Sequence, residues 1–101
     1  MDKIFKALAD RNRRLIVTLL KNNLEMNVTQ LLVNFQISQS TLSNHLAILR
    51  KAKLVKCKVK GKERIYEIEY EVLGAFIREL NKFIGVKEIG TNQEIAYRGS
   101  K

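Results

Sequence analysis

Between Leu54 and Tyr70 the apolar residues stop recurring at helical intervals and begin to alternate. Just upstream, "STLSNHLAILRK" sets Leu42, Leu46 and Leu49 at spacings of four and three, the stripe of an amphipathic helix. Then "LVKCKVK" puts Val55, Cys57 and Val59 on one side and Lys56, Lys58 and Lys60 on the other. "RIYEIEY" likewise separates Tyr66, Ile68 and Tyr70 from Ile65, Glu67 and Glu69. With "KGKE" between the two runs and Gly61 free to take a left-handed turn, this is a β-hairpin. A single change of period inside an otherwise helical chain restricts the fold to a mainly α domain carrying one hairpin.

The helices can be placed by the same criterion. "DKIFKALA" carries Ile4, Phe5 and Leu8 on one face, and "RNRRLIVTLLKN" carries Leu15, Ile16, Leu19 and Leu20 on another. Asp10 falls between them as a plausible cap. Asn27 followed by Gln30 has the spacing of a capping box opening a short helix in "VTQLLVNF". Gln36 and Ile37 form a tight connection, and Ser38 caps the helix that runs to about Lys53. "EVLGAFIRELNKFIG" is a last helix with a broad stripe of Val72, Leu73, Phe76, Ile77, Leu80, Phe83 and Ile84, stopped by Gly85. The order expected is four helices, a hairpin and a fifth helix, over residues 1–85. Residues 86–101 have little period and are expected to be a C-terminal tail or arm.

At 101 residues, with 46% apolar residues, 29% charged residues and no proline, the chain has the make-up of one folded, helix-rich domain. Its formal charge of +9 points to a polyanionic partner, because so concentrated a positive field accelerates encounter with one. The charge is not spread evenly. Residues 38–64 hold Arg50, Lys51, Lys53, Lys56, Lys58, Lys60, Lys62 and Arg64 against Glu63 alone, whereas residues 65–101 carry five basic and six acidic side chains. No run approaches 18 apolar residues, and "MDKIFKALAD" is too short and acidic for a signal peptide, so a cytoplasmic protein without membrane contact is expected. One cysteine allows no internal disulfide, in keeping with a reducing compartment.

The helix after Ser38 has an unusual second face. At about 100° per residue, Ser40, Ser43, Asn44 and Ala47 gather around one direction while the leucines point roughly opposite. Taken alone, such a face is ordinary solvated surface. Joined to a short preceding helix, a tight turn and a lysine-edged hairpin, it is the arrangement of a helix-turn-helix whose second helix enters the major groove. Asn and Gln can pair with adenine, Ser and Thr with donor or acceptor edges, and Ala with a thymine methyl. The hairpin would then be a wing whose lysines neutralise phosphates.

These stretches together resemble the winged-helix repressors of the arsenical-resistance (ArsR) type. "FKALADRNRRLIVTLL" is similar to that family's opening two helices, "ISQSTLSNHLAILRKAKLV" to its recognition helix, and "VKGKERIYEIEYEVL" to its wing leading into the last helix. The resemblance implies a winged helix-turn-helix homodimer that pairs through its first and last helices and represses promoters at imperfect palindromes. On this reading Gln39, Ser40, Thr41, Ser43, Asn44, His45, Ala47, Arg50, Lys60, Lys62 and Arg64 meet double-stranded DNA. Ile4, Phe5, Leu8, Val72, Leu73, Phe76, Ile77, Leu80 and Phe83 meet the second copy. The stripe over residues 72–84 supports this independently, being wider than one small core requires.

The chain departs from the family in four places. The paired cysteines of a common metal site correspond to Asn27 and Thr29, and the last helix offers only Glu71 and Glu79 where a second site uses His, Asp and Glu. Neither set suits a metal, so no cofactor is expected and control by metal is not. Arg11 stands where the family usually has proline, which should permit an uninterrupted or differently angled helix junction. Gln36 replaces a common glycine, so mild backbone strain is expected there. His45, between the leucine and reading faces, should bond to phosphate or a neighbouring helix. Cys57 reads as a small core residue. A phosphate loop and a nucleophile with a matched base are both missing, which argues against an enzyme. The competing function is a winged-helix module that sequesters a protein partner and binds DNA weakly. A protein or small-ligand regulator remains open.

Overall fold

The computed structural model describes residues 1–85, so the expected tail at 86–101 lies outside the described residues. The elements run α1 (Asp2–Ala7), α2 (Arg11–Asn23), β1 (Glu25–Asn27), α3 (Val28–Leu32), α4 (Gln39–Lys51), β2 (Val55–Lys60), β3 (Glu63–Ile68) and α5 (Tyr70–Ile84). This is the winged helix-turn-helix expected, with one added strand. β1 is three residues long, too short for alternation to register in the sequence. It pairs antiparallel with β3, which also pairs with β2, giving a three-stranded sheet in the order β1-β3-β2.

The caps explain where the helices begin. The Asp10 carboxylate accepts the amides of Asn12 at 2.8 Å and Arg13 at 3.1 Å, satisfying two donors that α2 cannot pair internally. The junction between α1 and α2 is therefore broken despite the absence of proline, with Arg11 at the first helical position. Asn27 and Gln30 form the full reciprocal box at the start of α3. Ser38 accepts the Thr41 amide at 3.1 Å, fixing the first turn of α4.

The expected strain at Gln36 is not found. The non-glycine residues with positive φ are Leu24, at 69°, and Lys53, at 64°. Lys53 follows α4 in a complete Schellman closure: Leu54 N–H donates to the Leu49 carbonyl at 3.1 Å and Lys53 N–H to that of Arg50 at 2.9 Å. Buried Leu49 and Leu54 supply the apolar pair that accompanies this motif.

One core joins the layers. Ile16 and Leu20 of α2, Leu31 of α3 and Leu42, Leu46 and Leu49 of α4 meet Met26, Val55, Tyr66 and Ile68 on the inner face of the sheet. Each fully buried leucine or isoleucine contributes about 1.5–3 kcal/mol relative to exposure. The hairpin outruns this core. Val55 is buried, Cys57 is half-buried against the core and Val59 is exposed, although all three share a strand face. Strand β3 stops at Ile68, and Tyr70 opens α5 instead of extending the alternation.

Candidate nucleic-acid interface

Helix α4 is anchored on one side and bare on the other. Leu42, Leu46 and Leu49 are fully buried, while Gln39, Ser40, Ser43, Asn44, Ala47 and Arg50 are exposed. Among the described residues, the side chains of Gln39, Ser43 and Asn44 make no hydrogen bond, so their polar groups are free for a partner. Thr41 is placed differently. It is half-buried and its Oγ1 accepts from Ser38 at 3.0 Å, while Ser40 Oγ lies 3.1 Å from Ser38 Oγ. Both hydroxyls belong to the helix cap as much as to the open face.

His45 is half-buried and meets a neighbouring helix: Nη1 of Arg13 lies 3.1 Å from its Nδ1. The same guanidinium donates from Nε to the Ala7 carbonyl at 2.7 Å and from Nη2 to that of Lys6 at 3.3 Å. Arg13 thus closes the C-terminal end of α1 and joins α1, α2 and α4 through one side chain. Sequence reading gave no role to Arg13, because its partners lie 6, 7 and 32 residues away. Two further exposed residues of α4, Ile48 and Lys51, lie outside the expected set of DNA contacts. Lys51 lies four residues beyond Ala47, on the same face, and its helical spacing could have identified it.

Burial is the largest single influence on Asp10 and opposes ionisation, but the Arg13 and Asn12 amides and the charge of Arg13 together outweigh it. They hold the Asp10 carboxyl below the usual carboxylate range.

The hairpin presents its cations in two groups. At the tip, Gly61 takes φ 63° in a two-residue turn with Lys62. Lys62 and Arg64 are exposed, and among the described residues neither meets a carboxylate. Arg64 Nη1 lies 4.0 Å from Cys57 Sγ. Farther back, Lys56 approaches Glu69 at 3.9 Å, and Lys58 and Lys60 each reach Glu25 at 3.1 Å. Hydrogen bonds from Lys58 and then Lys60 hold the Glu25 carboxyl below its ordinary value, and the bond to Glu25 raises Lys58 in turn. Lys60 is therefore paired with a carboxylate, unlike Lys62 and Arg64.

A groove of about 500 Å³ continues the open face of α4 past its C-terminus, lined by Ala47, Arg50, Lys51, Lys53, Lys56 and Glu69 among others. The surface from Ser43 to Arg64 thus combines short, unpaired hydrogen-bonding groups with cations on both sides. Such a surface can read base edges and grip phosphates at once.

The metal positions implied by the family resemblance do not fit a metal. The Asn27 side chain accepts the Gln30 amide at 2.8 Å and donates to Glu63 at 3.3 Å, and Thr29 offers a hydroxyl in place of a thiolate. Among the described residues no three of His, Cys, Asp and Glu cluster.

The residues expected at a second copy divide in two. Phe76 is 9% exposed and packs edge to face on Phe5 of the same chain, with ring centroids 5.3 Å apart. Ile4, Leu8, Val72 and Leu73 are half-buried against the core, and Leu80 is also half-buried. Phe5, Ile77 and Phe83 remain exposed, as does Ile84 beside them. No described helix is long and apolar enough to cross a membrane.

Residues 10–56 match the family model described as bacterial regulatory protein, arsR family. The transcriptional repressor SdpR of Bacillus subtilis (strain 168) is 34% identical over 84 residues, covering 83% of this chain and 92% of that protein. The arsenical resistance operon repressor of Staphylococcus aureus is 35% identical over 81 residues, covering 80% of this chain and 77% of that one. The solved structure of an ArsR-like transcriptional regulator from Rhodococcus sp. RHA1 superposes with a TM-score of 0.75 at 25% identity, over 83% of this chain and 76% of its own.

Proposed function

The chain belongs to the arsR family of bacterial regulatory proteins, and from that membership we propose that it is a homodimeric repressor that reads an imperfect palindrome and does not respond to metal. It is a DNA-binding transcriptional regulator and not an enzyme. What the residues add is how the reading is done.

The observation that carries the proposal is the division of α4 into a fully buried leucine stripe and an exposed stripe of unpaired Gln39, Ser43 and Asn44 with Ala47. The leucines fix the helix rigidly while the short side chains allow close approach to a major groove. Asn44, with both donor and acceptor free, is suited to adenine. Arg50 and the tip residues Lys62 and Arg64 supply phosphate contacts, which orient the protein without selecting sequence.

Residues 1–85 act as one DNA-binding and dimerisation unit. Its cytoplasmic placement follows from the function proposed. Pairing uses the exposed part of the α1 and α5 surface, where Ile77, Phe83 and Ile84 are 53, 72 and 57% exposed and offer apolar area for a second copy to cover. Two copies related by a twofold axis would present two α4 helices to two half-sites, hence a palindrome. Metal independence rests on Asn27, whose side chain is engaged in the α3 cap.

The deciding experiment is selection from genomic fragments at about 150 mM salt, followed by titration of the enriched site with and without zinc and reductant. Tight binding to a palindrome, indifferent to both additives, is expected. Release by zinc would refute metal independence. Failure to enrich any sequence would favour the protein-sequestering module instead.

A further inference from the structure

The outer face of the sheet is charged and in register. It carries Lys56, Lys58 and Lys60 from β2, Glu63, Ile65 and Glu67 from β3, and Glu25 and Asn27 from β1. Glu25 is level with Glu67, whereas Lys60 is level with Glu63 beside the turn. The offset is four residues of β3, from 63 to 67, or about 13 Å of strand. Yet Lys60 Nζ lies 3.1 Å from Glu25 Oε2. Lys58 Nζ lies 3.1 Å from Glu25 Oε1 and 3.6 Å from Glu67. Both ammonium groups are drawn back toward the base of the hairpin, away from its tip.

The burial of Ile65 agrees with this arrangement. Ile65 lies on this outer face, outside the main core, yet is only 7% exposed. Its partners across the strands are Asn27 and Lys58, two members of the polar network. Long lysine stems folded back over the sheet can cover an isoleucine, whereas stems extended toward a ligand would uncover it.

We propose that Glu25 is a positioning residue of the wing: it holds Lys58 and Lys60 off the DNA backbone and leaves Lys62 and Arg64 as the phosphate contacts. This rests on the DNA-reading function above. A lysine that reaches phosphate adds affinity for every sequence alike and steepens the salt dependence by about 0.9 in log K per log salt. Restraining two of them therefore lowers the sequence-independent part of binding, on operator and random duplex alike. Glu25 reaches both lysines from β1, a strand outside the hairpin, and so sets how much of the hairpin's charge the DNA meets.

The test is Glu25→Gln, which keeps the shape and removes the charge. Binding to the selected operator and to random duplex is titrated from 50 to 300 mM salt, with circular dichroism verifying the fold. Affinity for both duplexes at low salt is expected to rise about tenfold, with a slope steeper by one to two units and an unchanged operator-to-random ratio. Adding Lys58→Ala and Lys60→Ala to Glu25→Gln should return the slope to that of the parent. An unchanged slope in a variant that still selects its operator would overturn the role of Glu25 while leaving the DNA reading intact. Steepening that survives loss of both lysines would overturn it too. If the parent protein shows no preference for any sequence, the DNA reading fails and this inference falls with it.

Discussion

Arg13 and His45 meet at 3.1 Å, Nη1 to Nδ1, across the junction of α2 and α4. A guanidinium can only donate, so Nδ1 is the accepting nitrogen and the neutral ring carries its proton on Nε2. The contact holds the reading helix against two helices at once, because the same arginine binds the carbonyls of Lys6 and Ala7. Arg13→Gln is expected to cost about 1–2 kcal/mol by chemical denaturation, discounted for partial exposure, and to weaken operator binding. Arg13→Lys should restore little of either, since a single ammonium cannot serve three acceptors set around a planar fork. Full stability in the lysine variant would contradict this role.

Asn44 is the open polar residue best matched to a base. Asn44→Ala should cost about 1–3 kcal/mol on the operator and relax discrimination at one or two base pairs, as read from a panel of single-base operator variants. Thr41→Val is the contrast, because the Thr41 hydroxyl bonds to Ser38. Its effect should fall on thermal stability. Unchanged discrimination in Asn44→Ala would mean that α4 faces the groove at a different angle.

The two groups of wing cations should separate in salt titrations. Lys62→Ala is expected to weaken binding to all duplexes and flatten the slope by about one unit. Lys60→Ala should change the slope much less, because Glu25 holds its ammonium. Equal losses from the two substitutions would show that DNA displaces the carboxylate freely.

Lys53 occupies the left-handed position that normally goes to glycine. Lys53→Gly should therefore raise stability by about 0.5–1 kcal/mol, relief of strain exceeding the entropy gained by the unfolded chain. The same change removes a cation from the groove beside α4 and should lower DNA affinity modestly. A less stable glycine variant would show that the Lys53 side chain contributes more than its backbone costs.

Phe83→Asp and Phe76→Asp should part company in sedimentation. Phe83 is 72% exposed, so placing a charge there should give a folded monomer. Phe76 is buried against Phe5 within one chain, and a charge there should unfold the protomer. A Phe83→Asp dimer would move the pairing surface elsewhere.

The sequence was informative where one local rule decided the outcome. Asp10, Asn27 and Ser38 sit at helix starts because their side chains accept amides a few residues on, and their spacing is visible in a one-dimensional string. The hairpin was visible because alternation lasts for several residues on both strands. What stayed hidden depends on distant partners. β1 becomes a strand only because β3 passes beside Met26, and Ile65 is buried on the outer face rather than in the main core. Positive φ at Lys53 has no compositional signature, whereas Gln36, flagged by a missing glycine, adopts an ordinary conformation. The exposed residues of α4 were legible as a face, but sequence could not distinguish free Asn44 from Thr41, whose hydroxyl is already bonded.

Among the described residues the order β1-β3-β2 leaves two open edges on a sheet that carries buried apolar residues, and each edge could template another chain. Each is guarded in its own way. β1 offers only three residues of ladder, too few to seed a stable added strand. β2 is longer, but its lysines at alternate positions would set like charges against any second copy of itself that tried to pair. A regulator that pairs as proposed, and in no other way, would thus be protected from extending strand by strand into a fibre.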